Sequence, residues 1–191
     1  MFTSYVNRWA SRFGSAFALT VLFGLGLAVL PASSKATGLA LEDCTGLHSA
    51  TWSPGVSNTP APHTVTTTSN WECTGLGGLL TPASSINQFQ ATFACSGLLA
   101  PVNNLVWTIN WNDSALPATS TFSFNVTVEA VDGNLVITSN NGSITAGRYA
   151  GNSAVATFTL LGLQGLLNNQ CNAPGGLTGA GGPTTLTILG L

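Results

Sequence analysis

Two stretches in the middle of the chain alternate apolar and polar residues with a period of two. In LVWTINW, Leu105, Trp107, Ile109 and Trp111 fall on one face, while Val106, Thr108 and Asn110 fall on the other. In TFSFNVTVEAV, Phe122, Phe124, Val126, Val128 and Ala130 face one way, and Ser123, Asn125, Thr127 and Glu129 face the other. A strand sends successive side chains to opposite sides, so each stretch predicts a strand with one buried face and one wet face. HSATW, TVTTTSNW, INQFQATFAC, AVATFTLL and TTLTIL add further strands. Asp132-Gly133 and Asn141-Gly142 each separate apolar runs, and both dipeptides accept the positive φ of a tight hairpin turn. One buried face per strand, with turns between, predicts an all-β fold: an antiparallel β-sandwich of about seven to nine strands. From Gly162 to Gly182 glycine is dense, which predicts a long loop tied down by Cys171.

The N-terminus carries a different pattern. Arg8 and Arg12 precede the uncharged run SAFALTVLFGLGLAVLP, and Ser34-Lys35-Ala36 supplies a small-x-Ala cleavage site. Residues 1–36 are therefore expected to form a signal peptide helix that is cleaved, leaving 37–191 as a single secreted β-sandwich domain. The competing reading is an uncleaved membrane anchor; Gly24, Gly26 and Pro31 weaken it as a stable spanning helix.

Composition then narrows the partners. Beyond residue 36 Arg148 is the only basic side chain, against Glu42, Asp43, Glu72, Asp113, Glu129 and Asp132, a net charge of -5. Binding nucleic acid requires several Lys or Arg to neutralise phosphates, which excludes nucleic acid as a partner. The same shortage excludes anionic membrane surfaces, and no second long apolar run predicts membrane insertion after signal cleavage. Few charges, many Thr, Ser, Asn and Gly, and little Lys or Glu favour strands and turns over helices.

Three of the four cysteines share one setting: CTGL at 44–47 and 73–76, and CSGL at 95–98. A structural zinc site needs closely paired ligands such as C-x2-C, and none is present, so no metal is expected. In an exported chain Cys44, Cys73, Cys95 and Cys171 read instead as two disulfides. Phe89, Ala91, Phe93 and Cys95 share a face, as do Val65, Trp71 and Cys73, so the motif reads as an inward cysteine at a strand end followed by a turn glycine. Four cysteines allow three pairings. Folding CTGLHSATW back on HTVTTTSNWEC about a midpoint near Asn58 favours Cys44–Cys73, leaving Cys95–Cys171.

CTGLHSATWSPGVSNTP and the later GSITAGRYAG resemble segments of small secreted proteins of high-GC Gram-positive bacteria. The resemblance implies an immunoglobulin-like β-sandwich and carries over no catalytic residue.

Catalytic chemistry has few candidates. His63, in PAPHTV, reads as a solvated loop histidine; His48 has Asp43 and Ser49 near it in sequence but no nucleophile elbow. Glu42 and Asp43 point apart in a strand, and Glu129 with Asp132 reads as a solvated edge rather than a glycosidase pair. Asp132-Gly133-Asn134 offers too few oxygens for calcium. Trp52, Trp71, Trp107 and Trp111 are candidates for stacking on a ligand if they are exposed, and core residues if they are not. The sequence thus predicts a secreted, extracellular, non-catalytic binding or cell-surface structural module without cofactor, its partner a protein or glycan of the cell envelope. A carbohydrate-binding module using exposed Trp, and a secreted hydrolase using His48, are the alternatives.

Overall fold

The computed structural model describes residues 38–162 and 169–190, which fall within one compact unit, Ala36–Leu191. The expected signal peptide, 1–36, lies outside the described residues. Eight strands follow in chain order: β1 Ala40–Val56, β2 Ala61–Gly75, β3 Leu80–Phe93, β4 Val102–Trp111, β5 Thr119–Val131, β6 Asn134–Gly147, β7 Ser153–Leu160 and β8 Leu177–Leu189. Each strand is antiparallel to the next, and β8 returns to pair with β1. The sheet therefore closes into an eight-stranded up-and-down barrel.

This corrects the predicted sandwich. The all-β antiparallel character stands, but the two packed sheets and the immunoglobulin-like topology do not. Alternation records only that one face of each strand is buried, and a barrel interior buries it as well as a facing sheet does. What decides between them is the β1–β8 ladder, from Glu42 opposite Ile188 to Thr51 opposite Gly179. Glycine eases that ladder and the strand pairings on either side of it: a Cβ on Gly181 would sit 2.8 Å from the His48 carbonyl oxygen across the β1–β8 ladder. A Cβ on Gly182 would sit 2.3 Å from the Thr159 carbonyl oxygen, and one on Gly46 would sit 1.9 Å from that of Asn70. The glycines expected to lie in a loop up to Gly182 are thus partly strand residues of β8, placed where the backbones approach most closely.

The turn dipeptides behave differently from each other. Asp132 (φ 48°) and Gly133 (φ 80°) form the two-residue turn between β5 and β6, with Val131 opposite Asn134. Asn141 (φ 52°) lies inside β6 instead, where the register with both neighbours shifts. It marks a bulge, which uses the same left-handed conformation as a turn.

Inward residues fill the barrel in two clusters. One contains Trp71, Trp107, Ile109, Trp111, Phe122, Phe124, Phe158, Leu186 and Ile188; the other contains Trp52, Val56, Val65, Leu135, Leu160 and Leu177. Cys44 is joined to Cys73 within the first cluster, directly across the β1–β2 ladder. Cys95 is joined to Cys171 beside the second, linking the 3-10 turn Cys95–Leu99 to the turn Gln170–Asn172. Cys44 lies inside β1, near the strand's start rather than its finish, so the three motifs do not share one geometry.

The β1–β2 approach at Gly46 generates a prediction. Gly46→Ala forces a methyl into the Asn70 carbonyl and should lower the unfolding free energy by about 2–3 kcal/mol, the range for overpacking a tight interior. Urea denaturation measures it; a loss under about 0.5 kcal/mol, the level of an ordinary surface change, contradicts this strand packing.

Candidate functional site

Seven of the eight strand interfaces are zipped along much of their length, but β3 and β4 pair only at Ala83–Trp111 and Ser84–Asn110. Beyond that point side chains replace the ladder: the Ser85 hydroxyl donates to the Thr108 carbonyl at 2.7 Å, and the Thr108 N–H donates to Asn87 Oδ1 at 3.4 Å. Past these contacts the two strands separate. The chain leaves β3 through the turn Cys95–Leu99, which the Cys95–Cys171 bridge anchors.

A cavity of about 270 Å³ opens at this seam. Its walls include Trp52, Phe89, Phe93, Trp107, Phe124 and Phe158, with Leu98 of the 3-10 turn beside them. It draws residues from both core clusters and so lies where they meet. Gln90, Ala100 and Val102 line it and are exposed, which places its mouth along β3 and β4.

Besides Gln90 at its mouth, three residues of this apolar wall carry polar groups. Thr67 is one. The indole N–H of Trp107 is another, and it has no hydrogen-bond partner among the described residues. The third is His48, whose Nδ1 lies 2.8 Å from the Ser69 hydroxyl, the residue opposite it in β2. Burial pushes the His48 imidazole down to about 4, so the ring is neutral at pH 7. It lies against Phe158, with ring centroids 4.6 Å apart, and parallel to Trp107 at 6.1 Å.

The His48–Ser69 pair was invisible in the sequence, because 21 residues separate its members and only the register joins them. It has the elements of a nucleophile and base, yet Ser69 is not part of the cavity wall. Asp43 and Ser49, the sequence neighbours of His48, are exposed on the opposite face of β1. Asp43 accepts a hydrogen bond from Thr187 instead of orienting the imidazole.

The remaining candidates scatter. His63 is 2% exposed, not a solvated loop residue. Its Nδ1 lies 2.8 Å from the Pro54 carbonyl and its Nε2 3.1 Å from that of Phe93, so it staples the ends of β1 and β3. Trp52, Trp71, Trp107 and Trp111 are 5%, 4%, 6% and 3% exposed, which removes the outer stacking platform a sugar would need. Trp52 and Trp107 line the cavity, whereas the indoles of Trp71 and Trp111 donate to the Thr184 and Ser120 hydroxyls. Glu129 and Asp132 are exposed. Asn134 is engaged by the Asp132 carbonyl and the Gly162 N–H, as a turn residue is.

His48 yields a pH prediction. The unfolded chain protonates this histidine near its ordinary value of 6.5, the folded chain only near 4. Acid therefore favours the unfolded state between these values, and the stability is fully present above about pH 6.5. The native protein should lose about 3 kcal/mol more than His48→Gln as pH falls from 7 to 4. Urea titrations across this range measure the difference; parallel curves for the two proteins would show that His48 is not buried as described.

Comparison with protein-family models, with curated proteins and with solved structures gives no match.

Proposed function

We propose that this protein is a secreted, non-catalytic binding module that holds a small, largely apolar molecule inside its barrel. The observation that carries the reading is the aromatic-walled cavity at the β3–β4 seam, which is open to the surface and braced by a disulfide. Eight strands enclose an interior that either fills with side chains or accommodates one small ligand. Here the two residue clusters leave room where they meet. At about 30 Å³ per water-sized unit, the space suits a ligand on the order of ten non-hydrogen atoms.

The polarity of the two barrel faces supports the same reading. On β2, His63, Val65, Thr67, Ser69, Trp71 and Cys73 point inward and are buried, while Thr66, Thr68, Asn70 and Glu72 face outward. On β5, Phe122, Phe124 and Val126 point inward and Thr121, Ser123, Asn125 and Thr127 outward. A barrel that spans a membrane carries its apolar band on the outside. The two disulfides fit an oxidising, extracellular compartment. The non-catalytic part of the reading rests on Ser69 lying behind His48 rather than in the cavity wall, and on the low basicity of His48.

The unpartnered Trp107 N–H adds a preference for a ligand with one acceptor, since a buried donor left without a partner costs about 1–3 kcal/mol. Naphthalene and quinoline have nearly the same shape, and quinoline adds a single ring nitrogen. Titration followed by tryptophan fluorescence should give saturable binding of both at one site, with Kd on the order of 10–100 μM. Replacing Trp107 by Phe should move the quinoline-to-naphthalene affinity ratio about tenfold towards naphthalene. Absence of saturable binding for either compound contradicts the carrier reading, whereas an unchanged ratio contradicts only the role of the indole.

A further inference from the structure

The opposite end of the barrel, where β2, β4 and β6 end, holds a second cavity of about 390 Å³. Its polar residues include Glu42, Asp113, Arg148 and Tyr149, and Leu76, Leu79 and Leu116 form an exposed apolar rim.

The charges here do not balance. Arg148 is the only basic side chain beyond residue 36, and it is fully committed. Its Nη1 and Nη2 donate to the two oxygens of Asp113 at 2.9 and 2.7 Å, its Nε donates to the Pro117 carbonyl at 2.9 Å, and Nη2 also reaches the Ala115 carbonyl. These hydrogen bonds hold the Asp113 carboxyl below its usual range. Glu42 is left without a cationic partner among the described residues, although it is only 4% exposed. Its Oε1 accepts the Tyr149 hydroxyl at 2.5 Å, and its Oε2 has no hydrogen-bond partner among the described residues. Burial and the Glu42 carboxylate raise Tyr149 to about 12, so the phenol keeps its proton and donates.

A buried carboxylate oxygen without a partner is costly, and a cation that fits the cavity removes the cost. A glycine of β2 lies against this carboxylate. A Cβ on Gly75 would stand 2.8 Å from Glu42 Oε1 and 3.3 Å from Oε2, so the glycine of the second CTGL makes its room. A divalent metal fits poorly, because calcium takes six to eight oxygens and magnesium six. Among the described residues no three His, Cys, Asp or Glu side chains cluster to hold a metal. An ammonium fits better: it brings three donors, and the Tyr149 and Thr81 hydroxyls share the cavity as further acceptors.

We propose that this second cavity binds a primary ammonium group on an aliphatic stem, with the ammonium paired to Glu42 and the stem lying on the leucine rim. The site stands apart from the apolar cavity at the other end, and neither reading depends on the other.

Calorimetric titration of the disulfide-bonded protein with n-hexylammonium at pH 7.5 tests the proposal. Binding should be saturable and at least tenfold tighter than that of hexan-1-ol, and prior saturation with naphthalene should leave it unchanged. Glu42→Gln should remove the preference for the amine without weakening the alcohol. The carboxyl carbon resonance of Glu42, read by NMR in the native protein, should move with hexylammonium and not with hexan-1-ol; this readout serves even if the variant does not fold. A lysine in blocked form, N-acetyl-lysine methylamide, separates two sources of the same chemistry: its binding as well supports a polypeptide lysine, and its exclusion supports a free alkylamine. Equal affinity for amine and alcohol, no saturable binding of the amine, or an unmoved Glu42 resonance would overturn the proposal.

Discussion

β1 hydrogen-bonds to β2 along one edge and to β8 along the other, and this double pairing removes the free edges that an open sheet would leave. The closed sheet encloses the aromatic side chains of β4, β5 and β7 on all sides, including Trp107, Phe124 and Phe158. Both cavities depend on this closure. The apolar one exists because the barrel wall is continuous except where β3 and β4 diverge. The polar one exists because closure carries Glu42 inward, next to Tyr149 from the β6–β7 turn. The glycines of β1 and β8 are part of the same constraint, since side chains at Gly46 or Gly182 would collide with the neighbouring carbonyls.

Parity along the strands was legible in the sequence, and closure was not. The inward and outward faces of β4 and β5 follow from alternation alone. The pairing of Cys44 with Cys73 coincides with the fold-back of β1 on β2 about a midpoint near Asn58. Whether eight such strands form two sheets or one closed sheet depends on the contact between the first and last strands. No local pattern encodes that contact. The same limit hid the His48–Ser69 pair, which exists only through the β1–β2 register. Two misplacements had a usable signal. With Cys73 inward, odd positions of β2 point inward, and His63 is one of them. With Cys44 inward, even positions of β1 point inward, which carries Glu42 and His48 with it. Asn141-Gly142 was read as a hairpin because a bulge and a turn draw on the same positive φ.

Scarcity of charge gives the rest of the chemistry its form. Among the described residues Arg148 is the only Lys or Arg and it is committed to Asp113, which leaves none there to pair with Glu42. His48 meets its surroundings the other way, by staying neutral among Trp107 and Phe158. The two ends of the barrel therefore differ in kind: one offers aromatic surface with few polar residues, the other a carboxylate framed by leucines.

The central claim is a closed barrel whose interior receives a small apolar guest. A crystal pressurised with xenon tests it directly, because apolar cavities of this kind take up xenon. The account predicts anomalous density between Trp52, Phe89, Trp107 and Phe158, with β8 still paired to β1 in the same map. Xenon absent from that space, or β1 and β8 found on separate sheets, would contradict it.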